Sequence, residues 1–130
     1  GSVFTLKESR NHGKGIIVDI AGKKIPAKLN DTVTAREFEK LLPFHCQATH
    51  HEFDFCAVAD RELPTKASEQ TQGWKNGDIG YGGGWFSVLL DGEEQSQSYQ
   101  MMIIGHMDEA YLDAARAITG HVAIMVSLAE

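Results

Sequence analysis

Two cysteines and three prolines in 130 residues are too few for the frameworks those residues build. A small secreted fold stapled by disulfides needs four thiols or more. Long apolar runs are missing as well, and none approaches the ~20 residues of a membrane helix. No signal peptide opens the chain, and Gly1-Ser2 reads as a cleavage scar ahead of one domain over residues 3–130. A cytoplasmic location is favoured, with secretion open if a leader has been removed. Positive charge is scarce beyond residue 40. Residues 41–130 hold 4 Lys and Arg against 13 Asp and Glu, residues 1–40 hold 8 against 5, and the net is −6. Proteins that bind nucleic acid need clustered cations to displace counterions from phosphates. Here Lys7, Arg10 and Lys14 are strung along one arm and Lys23-Lys24 sit at a turn. Nucleic acid and membrane surfaces are therefore not expected partners, and the acidic stretch suits a neutral or cationic one.

What is present is a chain 42% hydrophobic, long enough to bury about two-thirds of its surface as one domain. Val3-Phe4-Thr5-Leu6 reads as a short strand. Ile16, Val18 and Ile20 alternate with their neighbours, as do Ile25, Ala27 and Leu29, and Ala21-Gly22-Lys23-Lys24 breaks the two runs. Two such runs about a glycine turn predict a β-hairpin. Pro26 removes a ladder donor and predicts an edge strand or an irregular start. Thr34 and Glu37 have the spacing of a capping box, flanked by Val33 and Phe38 in the staple positions. Ala35, Phe38, Leu41 and Leu42 then line one face up to Pro43, which predicts a helix over about 34–42. Strands are expected over 53–58, 78–81, 85–90, 101–104 and 122–128, and a polar loop over 93–97. Asp108 as N-cap and Gly120 beyond the end predict a second helix over about 109–118. Helices too few to alternate with strands argue against a doubly wound parallel sheet. The expected fold is mainly β: a closed antiparallel barrel of about eight strands with two short capping helices.

The order of these pieces resembles a known family. Leu41-Leu42-Pro43 closes the first helix, followed by Leu63-Pro64-Thr65, Gly77-Asp78-Ile79-Gly80-Tyr81-Gly82, Ser98-Tyr99 and Ile104-Gly105-His106-Met107-Asp108. Over residues 16–128 the chain is similar to the cyclophilin-like family of small, mostly uncharacterised bacterial proteins. The resemblance implies the eight-stranded cyclophilin barrel without the enzymatic signature. Prolyl isomerisation in cyclophilins relies on an arginine in a Phe-His-Arg strand motif. None of Arg10, Arg36, Arg61 and Arg116 has that context, and residues 53–58 hold no arginine. A shared barrel carries no function with it.

Four groups of residues invite chemistry. His45, Cys46, His50, His51, Glu52 and Cys56 are the densest set of ligand-type side chains, and Cys46 and His50 would share a face if helical. No Cys-x-x-Cys pair accompanies them, so no metal is favoured; His45, Cys46, His50 and His51 are the candidates if one binds. Gly80, Gly82, Gly83 and Gly84 are followed by a strand, not by the Gly-Lys-Ser/Thr and helix of a phosphate loop. Ser and Cys side chains lack a nucleophile-elbow context. Among the aromatics, Trp85 and Phe86 cannot both face inward, and Trp74, Tyr81 and Tyr99 remain to line a groove with His106. The expectation is a binding module for a small molecule or peptide, with Trp74, Tyr81, Tyr99 and His106 as ligand contacts, no cofactor and no isomerase activity. A weak or divergent prolyl isomerase and a metal-binding domain through residues 45–56 are the alternatives.

Overall fold

Apolar side chains at every second position need a core on one side of each strand, and the chain supplies eight such strands to one cylinder. The computed structural model describes residues 13–129, so the expected strand at Val3–Leu6 lies outside the described residues. β1 (Gly15–Ile20) and β2 (Lys23–Leu29) form the expected hairpin. Its two-residue turn has positive φ at both Ala21 (52°) and Gly22 (94°), the geometry that matches the twist of the flanking strands. Then follow α1 (Val33–Glu39), β3 (Phe44–His50), β4 (Asp54–Val58), β5 (Thr71–Gln72), β6 (Asp78–Gly82), β7 (Trp85–Leu89), β8 (Gln100–Met101), β9 (Ile103–Met107), α2 (Leu112–Arg116) and β10 (His121–Leu128). The strands close in the order β1-β10-β3-β4-β7-β6-β9-β2, and every pairing is antiparallel. β5 and β8 form a separate two-stranded ribbon. The expected closed antiparallel barrel is the fold.

Ile16, Val18, Ile20, Ile25, Phe55, Val88 and Ile124 fill the barrel. Phe38 of α1 enters it fully buried, its ring centroid 5.0 Å from that of Phe44, 5.6 Å from Tyr81 and 6.0 Å from Phe86. Alternation in β7 turns Phe86 inward and leaves Trp85 exposed.

Several local expectations change. The helix cap is Thr32, whose side-chain oxygen accepts from the amide of Ala35 at 3.1 Å. Thr34 is fully buried instead, and its hydroxyl donates to the Pro64 carbonyl at 2.6 Å; Glu37 pairs with Lys40. The helix ends at Glu39, short of 42. The second helix is shorter too: a 3-10 turn over Glu109–Tyr111 passes into α2, with Asp108 accepting from the Ala110 amide. The loop expected over 93–97 is a 3-10 helix, Glu93–Ser98. Pro26 is not in an edge strand, because β2 has β1 on one side and β9 on the other. It sits where the β9 ladder ends: its carbonyl accepts from Asp108, and the donor it lacks falls one step past the last registered pair, Ala27–Met107.

Candidate functional site

Residues that alternation excludes from the core line the outside of the barrel in rows across the strands. One row crosses β2, β9 and β6 at Lys28, His106 and Asp78, which are register partners. His106 Nδ1 lies 2.7 Å from Asp78 Oδ1, and its Nε2 lies 3.0 Å from Glu109 Oε2. The other oxygen of Asp78 accepts from the Lys75 amide at 2.8 Å, so this carboxylate is held at both ends. Gly77 makes the approach possible. Its φ of +104° suits glycine, and a Cβ there would stand 3.0 Å from Cε1 of the His106 ring.

With a carboxylate facing each ring nitrogen, both nitrogens are best used as donors, which is the charged imidazolium. The His106 pKa is accordingly raised above its ordinary value, first by the Asp78 hydrogen bond and then by Glu109, with burial opposing both. Beside this ring opens a cavity of about 590 Å³, bordered by Pro26, Lys28, Asn30, Lys75, His106 and Glu109. That volume falls in the range of small-molecule sites, roughly 300–1,000 Å³. Leu29 and Met107 also border it but are buried, so they show it mostly main chain.

The four expected ligand contacts separate. Trp74 and Tyr99 do come together, with ring centroids 5.8 Å apart beside the β5–β8 ribbon. The Trp74 indole N–H donates to the Asp91 carbonyl at 2.9 Å, and Tyr99 stays exposed. His106 belongs to the cavity described above, which neither aromatic borders. Tyr81 is only 3% exposed; its ring packs in the Phe38 cluster and its hydroxyl donates to the Arg61 carbonyl. It reaches a second concavity of about 400 Å³ over the outer face of β4, β7 and β6, where Cys56, Trp85, Ser87 and Met101 meet glycines 80 and 82. Spacing offers no sign that Asp78 partners His106, because 28 residues separate them. Barrel register alone joins them.

The histidine-rich stretch is strand, not helix. In β3 His45 faces solvent, while Cys46 and His50 are half-buried. Burial pushes the Cys46 thiol up to about 11. The His50 ring tilts on Phe55 at 4.6 Å, and its Nδ1 lies 2.6 Å from the Ile118 carbonyl. Among the described residues, no group of three or more His, Cys, Asp or Glu is placed to hold a metal ion. Of the arginines described, Arg36 donates to the Asp31 carbonyl, Arg116 pairs with Asp91 and Asp113, and Arg61 is exposed beyond β4.

Comparison with solved structures finds a likeness to the solution structure of a hypothetical protein from Archaeoglobus fulgidus, with a TM-score of 0.61. The two are 12% identical, and the match covers 92% of this chain and 98% of that one, a likeness of fold alone. No curated protein matches. The model of the Cyclophilin-like family matches residues 18–127, in keeping with the barrel order and the motif order from Ile16 to Leu128. This chain belongs to the cyclophilin-like family.

Proposed function

We propose that the domain is a binding module that takes a small molecule in the cavity beside His106. One observation carries the reading: an imidazole fixed between Asp78 and Glu109 on the wall of a cavity of ligand size. Binding sites pair a mainly apolar or main-chain lining with a few oriented polar groups, and this cavity has both. Pro26 and the main chain of β2 and β9 supply the first; His106, Asn30 and the two lysines supply the second. The Asn30 amide already donates to the Ile103 carbonyl at 2.7 Å, which holds its position.

The test is an amide-shift titration of labelled protein with a panel of small amides, amines and carboxylates. Shifts clustered at Gly105, His106 and Met107 are expected. Shifts confined to Trp74 and Tyr99 would move the site to the ribbon, and none anywhere would end the proposal. The competing isomerase reading is tested by coupled isomerisation of Xaa-Pro peptides, where rates equal to buffer are expected. For the metal reading, re-addition of zinc after chelation is expected to give only weak, sub-stoichiometric binding.

A further inference from the structure

The charges around the cavity are not used equally. Asp78 is engaged by His106 and by the Lys75 amide, and Asp108 caps the turn at Ala110. Lys28 and Lys75 are both exposed and border the cavity, and neither has an ion-pair partner among the described residues. Lys75 is one of only four Lys and Arg beyond residue 40, and with Lys28 and protonated His106 it offsets the three carboxylates of the lining, Asp78, Asp108 and Glu109. Glu109 is the loosest member. Its side chain is 72% exposed and sits on a three-residue turn, and pairs so exposed hold weakly.

Resting on the His106 cavity as the binding site, we infer that it receives the carboxylate of a small organic acid, seated on the Nε2–H of His106 in place of Glu109. Lys28 and Lys75 flank that seat, and the Glu109 carboxylate marks the geometry that a ligand carboxylate adopts. Carboxylate is preferred to phosphate because Asp78 and Asp108 stay close by and penalise a second negative charge on the seated group itself, whereas a diacid carries its two charges on separate carboxylates. Entry of the ligand releases Glu109 to solvent, so Glu109 competes for the seat in the empty domain.

Binding is therefore proton-linked. The groups facing the cavity with His106 are Lys28 from β2, Asp78 from β6, Lys75 from the loop before β6, and Asp108 and Glu109 from the turn after β9. His106 is the imidazole among them, its pKa raised chiefly by the Asp78 hydrogen bond, and its protonated form is the one that donates from Nε2 while Nδ1 serves Asp78. Affinity for a carboxylate falls as pH rises past that titration.

The experiment titrates the full chain with succinate, inorganic phosphate and neutral succinamide, reading the His106 ring carbons and the amides of residues 105–107 by NMR. Succinate is expected to bind at the ring, with succinamide weaker by about tenfold or more, the scale of a hydrogen bond to a charged group. Lys28→Gln and Lys75→Gln should each weaken succinate by up to about tenfold, and Glu109→Gln should tighten it. All three changes are at exposed side chains, and an unchanged amide spectrum shows that the fold is kept. Equal binding of succinamide, phosphate ahead of succinate, or no loss in both lysine variants overturns the carboxylate inference and leaves the cavity reading standing. No perturbation at His106 by any of the three probes, in wild type and in E109Q alike, overturns both.

Discussion

At the scale of single residues, the ring of His106 couples the stability of the barrel to pH. Its pKa is raised above 6.5 in the folded chain, with the Asp78 hydrogen bond as the largest cause. A raised folded value means the contribution is fully present below about pH 6.5 and is lost as pH climbs through the folded value. The side chain is 37% exposed, so solvent screening keeps the effect below about 1 kcal/mol. Cys46, pushed up to about 11, stays neutral through that window and does not confuse the measurement. Asp78→Asn should lower the His106 titration, read from its ring carbon shift, and flatten the pH dependence of the urea midpoint. An unchanged titration would mean that Asp78 is not the partner. His106 was legible in the sequence as a candidate because an imidazole follows Gly105 at the end of an expected strand. Asp78 and Lys28 were not, since nothing local sets them apart from ordinary surface charges.

Elements were readable where side chains alternate against a single core. The hairpin of β1 and β2, the inward Phe86 and the terminal β10 follow from a period of two and from Gly22. β3 alternates as well, with Phe44, Cys46 and Ala48 against the exposed His45 and Gln47, but its small or half-buried inward side chains give a weak apolar signal, and its register with β10 and β4 decides its state. The cap of α1 was displaced by two residues for a similar reason: Thr32 and Thr34 are chemically alike, and only tertiary contact with Pro64 assigns the second to the interior. Close strand approach is equally hidden. A Cβ on Gly105 would stand 2.6 Å from the Lys28 carbonyl oxygen, a main-chain atom that cannot step aside. Gly105→Ala should therefore cost about 1–3 kcal/mol of stability and disturb the amides of β2 beside the His106 cavity. A denaturation midpoint within error of the wild type would show that β9 moves more freely than its packing implies.

For the whole molecule, closure of the sheet and the family membership were legible together, from motif order and from the need to leave few edges open. The site was not, because Lys28, Asp78 and His106 meet only when three distant strands take their register. Charge also acts at this scale. The net is −6 with histidines neutral, and the chain has six of them, so full protonation brings the balance to about zero before the carboxylates titrate. His45, His51 and His121 are exposed. Light scattering should rise as the solution is taken from about pH 8 to about pH 5, where repulsion between molecules fades. A flat trace would place the interactions between copies elsewhere than in net charge.

The neighbouring placement of β1 and β10 has a topological consequence. Ala129 donates its amide to the Gly15 carbonyl at 3.0 Å, so the polypeptide leaves the cylinder beside the point where it enters. A short linker from beyond Ala129 to the chain ahead of Gly15 ties the loop shut, and it can be reopened at Gly83-Gly84, an exposed bend where an added Cβ meets nothing and the Gly84 carbonyl bonds the Ala59 amide. The same proximity lets the unit be spliced into a surface bend of another protein as a self-contained bead, its host's chain entering and leaving through a single doorway.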